Sequence, residues 1–320
     1  MNPRVALLPL FALSLTAAAQ TNFTTENLTL ETRTATLPAT LLIPAKLLAN
    51  APVALIIAGS GPTDRDGNSG QGLQTNTYKL IAEGLANAGI ASLRYDKFAS
   101  GSSKLKITNE AELTFEDGAN DAAAWIETLK KDSRFKSFYV IGHSEGSLVG
   151  ILAAQKSSVD GFISLAGPGR NIADVLLEQL KPQFPADLFA ETTRVITELR
   201  AGRKVAASGI KLPAQLRDSL FRDSVQPYLI SWMRFDPAEE IKKLKAKVLI
   251  VQGNTDIQVK VADAERLGAA AGVKPVILGG VNHPFKNAPL EQSANLATYN
   301  QPNLPLGTGV LETLLNFLKP

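Results

Sequence analysis

The segment Gly142-His143-Ser144-Glu145-Gly146 sets a serine between two glycines, where the apolar run FYVIGHS ends and the small-residue segment SEGSLVGILAAQK begins. This is the G-x-S-x-G pattern, in which a buried strand turns abruptly into a helix and the serine backbone is strained so that its hydroxyl projects. Bulky residues at the glycine positions would collide with strand and helix. A helix starting at such a turn aims free N–H groups and its positive end at the hydroxyl, so negative charge developing on a substrate oxygen is stabilised. The chemistry expected is nucleophilic attack by Ser144; the plainer alternative is a serine at a turn.

A hydroxyl near neutral pH needs a general base within hydrogen-bond reach, and histidine is the usual one. The chain contains two histidines and no cysteine. His143 is the neighbour of Ser144, and adjacent residues at a sharp turn project in different directions. The expected base is therefore His283, in LGGVNHPF after the last apolar run, with a capping or solvent-exposed loop histidine as the alternative. An acid must hold the tautomer of that histidine. Asp256, in GNTDIQV one run earlier, is the candidate, against an Asx-turn or helix-capping role; Asp236, in RFDPAEE, more naturally caps the helix that follows it. A tetrahedral intermediate also needs N–H donors. One is the backbone of Glu145, and the other is expected at the Gly59-Ser60-Gly61 turn of IIAGSGPTDRDGN, from the N–H of Ser60.

These residues need a scaffold that brings loops together. The runs VALIIAG, IASLRYD, FYVIGHS, GFISLAG, KVLIVQG and KPVILGG are short and rich in branched residues, as strands buried on both faces of a parallel sheet are. Helical patterns lie between them: TYKLIAEGLANAG, LTFEDGANDAAAWIETLKK, SEGSLVGILAAQK and VADAERLGAAAG, with GVLETLLNFLK closing the chain. Alternation of this kind predicts an α/β fold with a mostly parallel, doubly wound sheet. Ahead of it, ENLTLETRTATLPATLLIPA alternates with period two and predicts strands at a sheet edge. From about 168 to 240 the strand rhythm lapses and amphipathic helical patterns separated by prolines take over, which predicts a helical insertion over one end of the sheet.

Composition is that of a globular protein, with 45% hydrophobic and 20% charged residues among 320, and a net charge of +3 spread along the chain. The one basic cluster, IKKLKAK, is expected to be a solvated helix face, so no nucleic-acid partner is expected. The first nineteen residues have the form of a secretory signal peptide: a basic MNPR, the apolar VALLPLFALSL and small residues before cleavage near Ala19. The domain then spans 20–320, secreted or periplasmic, with an uncleaved anchor as the alternative. The acidic stretch starting at Asp64 opens like a calcium loop but has Ser69 and Thr75 where glycine and glutamate are required. No metal and no cofactor are expected.

With AGSGPTDRDGN, LRYDKFASGSS and VQGNTDIQV in addition to the serine turn, the chain resembles the α/β-hydrolase superfamily over nearly its whole mature length, and in particular bacterial esterase-type members related to the serine aminopeptidase branch. The resemblance implies the α/β-hydrolase fold, Ser144 as nucleophile, His283 as base, Asp256 as orienting acid and the 168–240 insertion as a helical cap. Many relatives carry histidine before the oxyanion glycine, where this chain has Ala58. The expected activity is hydrolysis of small-molecule carboxylic esters through an acyl-enzyme. An exopeptidase or amidase with the same triad is the first alternative, for which Glu145 or Glu178 would capture an α-amino group. A non-catalytic binding protein is the second. Arg94, Tyr95, Asp96 and Lys97 follow a strand, as a structural loop or as substrate contacts. The aromatic residues of the insertion are expected mostly in its core.

Overall fold

In the computed structural model, which describes residues 22–70 and 72–319, eight longer strands build one sheet: β1 (Phe23–Glu31), β2 (Ala35–Pro44), β3 (Ala51–Ile57), β4 (Ala91–Tyr95), β5 (Phe135–His143), β6 (Gly161–Leu165), β7 (Lys247–Gly253) and β8 (Val276–Leu278). Their spatial order is β1-β2-β4-β3-β5-β6-β7-β8. From β4 to β8 every pairing is parallel, whereas β2 runs antiparallel to both its neighbours. The signal-like segment 1–19 lies outside the described residues.

Alternation within one strand shows why the fold is doubly wound. Val53, Leu55 and Ile57 of β3 face one apolar cluster with α2 (Phe115–Lys130) and α3 (Glu145–Lys156), while Ala54 and Ile56 face a second with α1 (Thr77–Asn87) and α11 (Val310–Leu318). A strand covered on both faces needs apolar residues at every position, so the run is continuous rather than alternating. Only β1, which is half exposed, is an edge strand at this end; β2 lies one place in, and its LLIP end is buried throughout. The period-two pattern is therefore that of an edge for β1 alone.

Between β6 and β7 the chain forms α4 (Ile172–Leu180), α5 (Ala186–Arg200), α6 (Ala214–Leu220), α7 (Gln226–Trp232) and α8 (Pro237–Ile241). The run LPAQLRDSLFRDSVQPYLISWM is two helices, because Pro227 is tolerated only in the first turn of α7. Phe115 anchors this insertion to α2: its ring stacks on Trp232 with centroids 5.1 Å apart, and its N–H donates to Ser231 Oγ at 2.8 Å. The lysines of IKKLKAK are exposed, but α8 ends at Ile241, so Lys242, Lys243 and Lys245 lie in the connection after the helix and Lys247 opens β7, none on a helix face. After β7 come α9 (Val261–Ala271) and, beyond β8, α10 (Gln292–Ala297).

Candidate active site

Ser144 stands between β5 and α3 with φ 54° and ψ −121°, a conformation that is costly for a residue with a side chain. The surroundings enforce it. A Cβ on Gly142 would come within 2.2 Å of the Gly146 carbonyl oxygen, and one on Gly146 within 2.5 Å of the Ile57 carbonyl oxygen. The elbow is thus pressed against β3, and the strain is held by packing on both sides. Ser144 N–H donates to Leu165 O at 2.9 Å, which ties the turn to β6. The residues on either side of Ser144 are buried while Ser144 itself is partly open.

Asp256 and His283 follow β7 and β8, and the loops that carry them meet. His283 Nδ1–H donates to Asp256 Oδ2 at 2.7 Å. The same carboxylate oxygen accepts from Gln252 Nε2 at 3.0 Å, and Oδ1 accepts from the N–H groups of Gln258 and Val259 at 2.7 and 3.0 Å. Burial alone would raise the Asp256 carboxyl, but the charge and hydrogen bond of His283 and the two backbone donors outweigh it and hold the group below its ordinary value. Asp256 is therefore a saturated, ionised acceptor that fixes the proton of His283 on Nδ1. That leaves Nε2 as a lone-pair site. His283 and Ser144 line one small cavity of about 100 Å³, together with Ser60, Thr63, Tyr78, Gln258 and Tyr299. Among the described residues no hydrogen bond joins Ser144 Oγ to His283 Nε2; such bonds commonly tighten only when substrate is bound.

His143 is committed elsewhere. Its Nε2–H donates to the main-chain carbonyl of His283 at 2.9 Å, and its Nδ1 accepts from the Tyr78 hydroxyl at 2.7 Å. Tyr78 in turn accepts the Gly59 N–H at 2.9 Å. Burial, with His283 close by, drives His143 down to about 3, so its ring is neutral and both nitrogens are occupied. The ring cannot serve Ser144 as a base, which agrees with the expectation from its position at the turn. With the Gly59 N–H spent on Tyr78, the other backbone donors at that turn are the N–H groups of Ser60 and Gly61. Glu145 N–H lies in the first turn of α3, where backbone donors have no partner within the helix.

Two further cavities meet at the elbow. One of about 300 Å³ is lined by Pro62, Phe98, Leu113, Val225 and Tyr228, with Lys97 and Glu145 at its polar side. A recess of about 10 Å³ lies between Ser144, Leu148, Ile172 and Trp232. Of the insertion's aromatic residues, Tyr228 and Trp232 thus reach these cavities, whereas Phe221 is fully buried. Lys97 Nζ donates to the Gly59 carbonyl and at 3.2 Å to Glu145 Oε1, which also accepts from Tyr228 Oη at 3.3 Å. Glu178 is bridged to Arg170. Asp236 caps α8 through Ala238 N–H at 2.9 Å. In the segment 64–68, Asp64 Oδ1 accepts from the N–H groups of Asp66 and Asn68, Arg65 pairs with Asp96, and Asp66 with Arg94, so its charges close the loop on itself and on β4. Among the described residues no cluster of three or more His, Asp or Glu side chains could hold a metal ion.

Sequence reasoning did not single out Tyr78, which sits on the buried face of α1, or Gln252, which looks like a β7 core position. Lys97 it left between two roles.

The family described as serine aminopeptidase, S33, matches residues 68–279 of this chain. Esterase EstD of Thermotoga maritima is 29% identical over 241 residues; the match takes in 72% of this chain and 54% of EstD, so the chain spans about half the length of that curated relative. Among solved structures, Est1E of Butyrivibrio proteoclasticus superposes with a TM-score of 0.57 at 20% identity, covering 86% of this chain and 96% of that one. An esterase of Pyrococcus furiosus does so with 0.55 at 18% identity, covering 82% and 84%. At these identities the structural likeness carries the α/β-hydrolase fold.

Proposed function

The chain belongs to the serine aminopeptidase (S33) family of α/β-hydrolases, and from that premise we propose that it hydrolyses small-molecule carboxylic esters through an acyl-enzyme on Ser144. Ser144 Oγ attacks the ester carbonyl while His283 Nε2 takes its proton. The N–H groups of Ser60 and Glu145 receive the oxyanion. His283 then gives the proton to the leaving alcohol, and an acyl-serine remains. Water attacks that ester with His283 again as base, releasing the carboxylic acid and restoring Ser144. Asp256 stays ionised throughout and stabilises the imidazolium formed at each step.

The observation that carries this reading is the Asp256–His283 hydrogen bond, made by a carboxylate with every lone-pair direction engaged, across a cavity from a serine held in a strained elbow. The preference for esters over peptides has a separate support. Glu145 is bound by Lys97 and Tyr228, and Glu178 by Arg170, so neither acid is free to take a substrate ammonium group. The likeness to EstD points the same way. The segment 1–19 supports export, and the cavity of about 300 Å³ beside Glu145 is the proposed seat of one substrate arm under the helical cap at 168–240.

The test is turnover of p-nitrophenyl esters of increasing acyl length beside aminoacyl-anilides, with Ser144→Ala as control. Ester turnover lost in the variant supports the reading. Selective anilide turnover, also lost in the variant, moves the assignment to a peptidase.

A further inference from the structure

The two proposed oxyanion donors belong to segments far apart in the chain, the turn after β3 and the start of α3. One side chain joins them. Lys97 Nζ donates to the Gly59 carbonyl oxygen and, 3.2 Å away, to the carboxylate of Glu145. The Gly59 carbonyl and the Ser60 N–H are the two ends of a single peptide group, which is trans, so they point in opposite directions. A cation that holds the carbonyl end therefore fixes where the N–H end points. It also draws electron density along the amide and makes the N–H a stronger donor. The other side of Gly59 is held as well, since its own N–H is taken by Tyr78.

Glu145 contributes to this arrangement twice. Its backbone N–H is the second donor, and its carboxylate is the counter-charge that keeps Lys97 in place. Both side chains are largely withdrawn from solvent, at 15% and 7% exposure, where a charge pair is weakly screened and an unpaired charge is costly. Tyr228 of α7 donates to the same carboxylate at 3.3 Å, so the helical insertion is connected to the pair.

We propose that Lys97 is a positioning residue for the oxyanion hole, clamping the Gly59–Ser60 peptide against Glu145 so that the two N–H donors converge. The proposal rests on the serine-hydrolase reading above. It accounts for a partly buried loop lysine beside the elbow that bonds both the Gly59 carbonyl and the Glu145 carboxylate. Lys97 touches no reacting atom; it acts through the backbone.

The experiment compares the full-length protein with Lys97→Met, the double variant Lys97→Met/Glu145→Met, and Ser144→Ala, using p-nitrophenyl butyrate and the tetrahedral-adduct inhibitor phenylboronic acid. Lys97→Met is expected to lower kcat by about tenfold to a hundredfold, somewhat less than loss of a donor itself. KM should stay within about twofold, and affinity for phenylboronic acid should fall in parallel with kcat. Lys97→Met leaves the Glu145 charge unpaired, so it will also melt at lower temperature. The double variant removes both charges while keeping the Glu145 backbone N–H, and it should recover stability without recovering kcat. Recovery of kcat together with stability would overturn the proposal and leave Lys97 a purely structural ion. So would unchanged kcat and boronate affinity in Lys97→Met, or a rise in KM alone. Full turnover in Ser144→Ala would instead sink the serine-hydrolase reading, whatever Lys97 does.

Discussion

His143 Nε2–H donates to the main-chain carbonyl of His283 at 2.9 Å, so one of the chain's two histidines holds the loop that carries the other. The link continues through Tyr78 to Gly59, and it joins the loop after β8 to the turn after β3. His143→Gln can keep both hydrogen bonds, with its amide N–H facing the carbonyl and its oxygen facing Tyr78. Turnover in this variant should stay within about tenfold of wild type, whereas His283→Ala should lose several orders of magnitude. His143 has a further consequence for acid stability. The folded ring stays neutral down to about 3, while in the unfolded chain it protonates near its ordinary 6.5. Over that interval the unfolded state binds the extra proton, and stability falls as pH falls, by about 3 kcal/mol at pH 4. Urea unfolding midpoints at pH 7 and pH 4.5 should therefore diverge less in His143→Gln than in wild type; an equal divergence would remove His143 as the cause.

Asp256→Asn tests the tautomer. The N–H groups of Gln258 and Val259 will hold the carboxamide oxygen, which turns the amide NH2 toward His283. Nδ1 then becomes an acceptor, the proton moves to Nε2, and the base loses its lone pair toward Ser144. Turnover should drop by about 10³- to 10⁴-fold while the far-ultraviolet circular dichroism stays that of the wild type. A loss of less than about tenfold would mean that Asp256 only closes its loop.

Asp121 gives the opposite pH signature. Burial on the packed face of α2, with the Asp117 carboxylate one turn earlier, pushes this carboxyl up to about 7 from an unfolded value of 3.8. Between those values the folded state holds the proton, so stability falls as pH rises and the full cost is present above about 7. Asp121→Asn should therefore gain melting temperature relative to wild type as pH goes from 5 to 9. A constant difference across that range would contradict it.

The parts of this molecule that could be read from the sequence are those encoded locally. Short branched runs separated by helical periods specify a doubly wound sheet because burial on both faces leaves few polar positions, and Gly142 is required by a contact four residues away, whereas Gly146 is required by the distant Ile57 carbonyl of β3. Ser144, Asp256 and His283 follow β5, β7 and β8 as the order of runs implied. Tyr78 and Gln252 were not legible for the converse reason. Each occupies a buried position of a helix or strand, and only the tertiary fold brings its polar end to Gly59, His143 or Asp256. Lys97 follows β4, and nothing near it in sequence reveals that the Gly59 carbonyl is its partner. The place of β2 was hidden too, since period two marks a half-exposed strand but not which strand pairs across it.

The most direct measurement of the central claim is the mass of the enzyme caught during turnover. Protein mixed with p-nitrophenyl butyrate, quenched in acid within the first turnovers and digested, should carry one butyryl group on the peptide that contains Ser144. Ser144→Ala should carry none there and release no nitrophenol above background. Steady hydrolysis with no acyl group on that peptide, or with the group on another residue, would contradict Ser144 as the nucleophile.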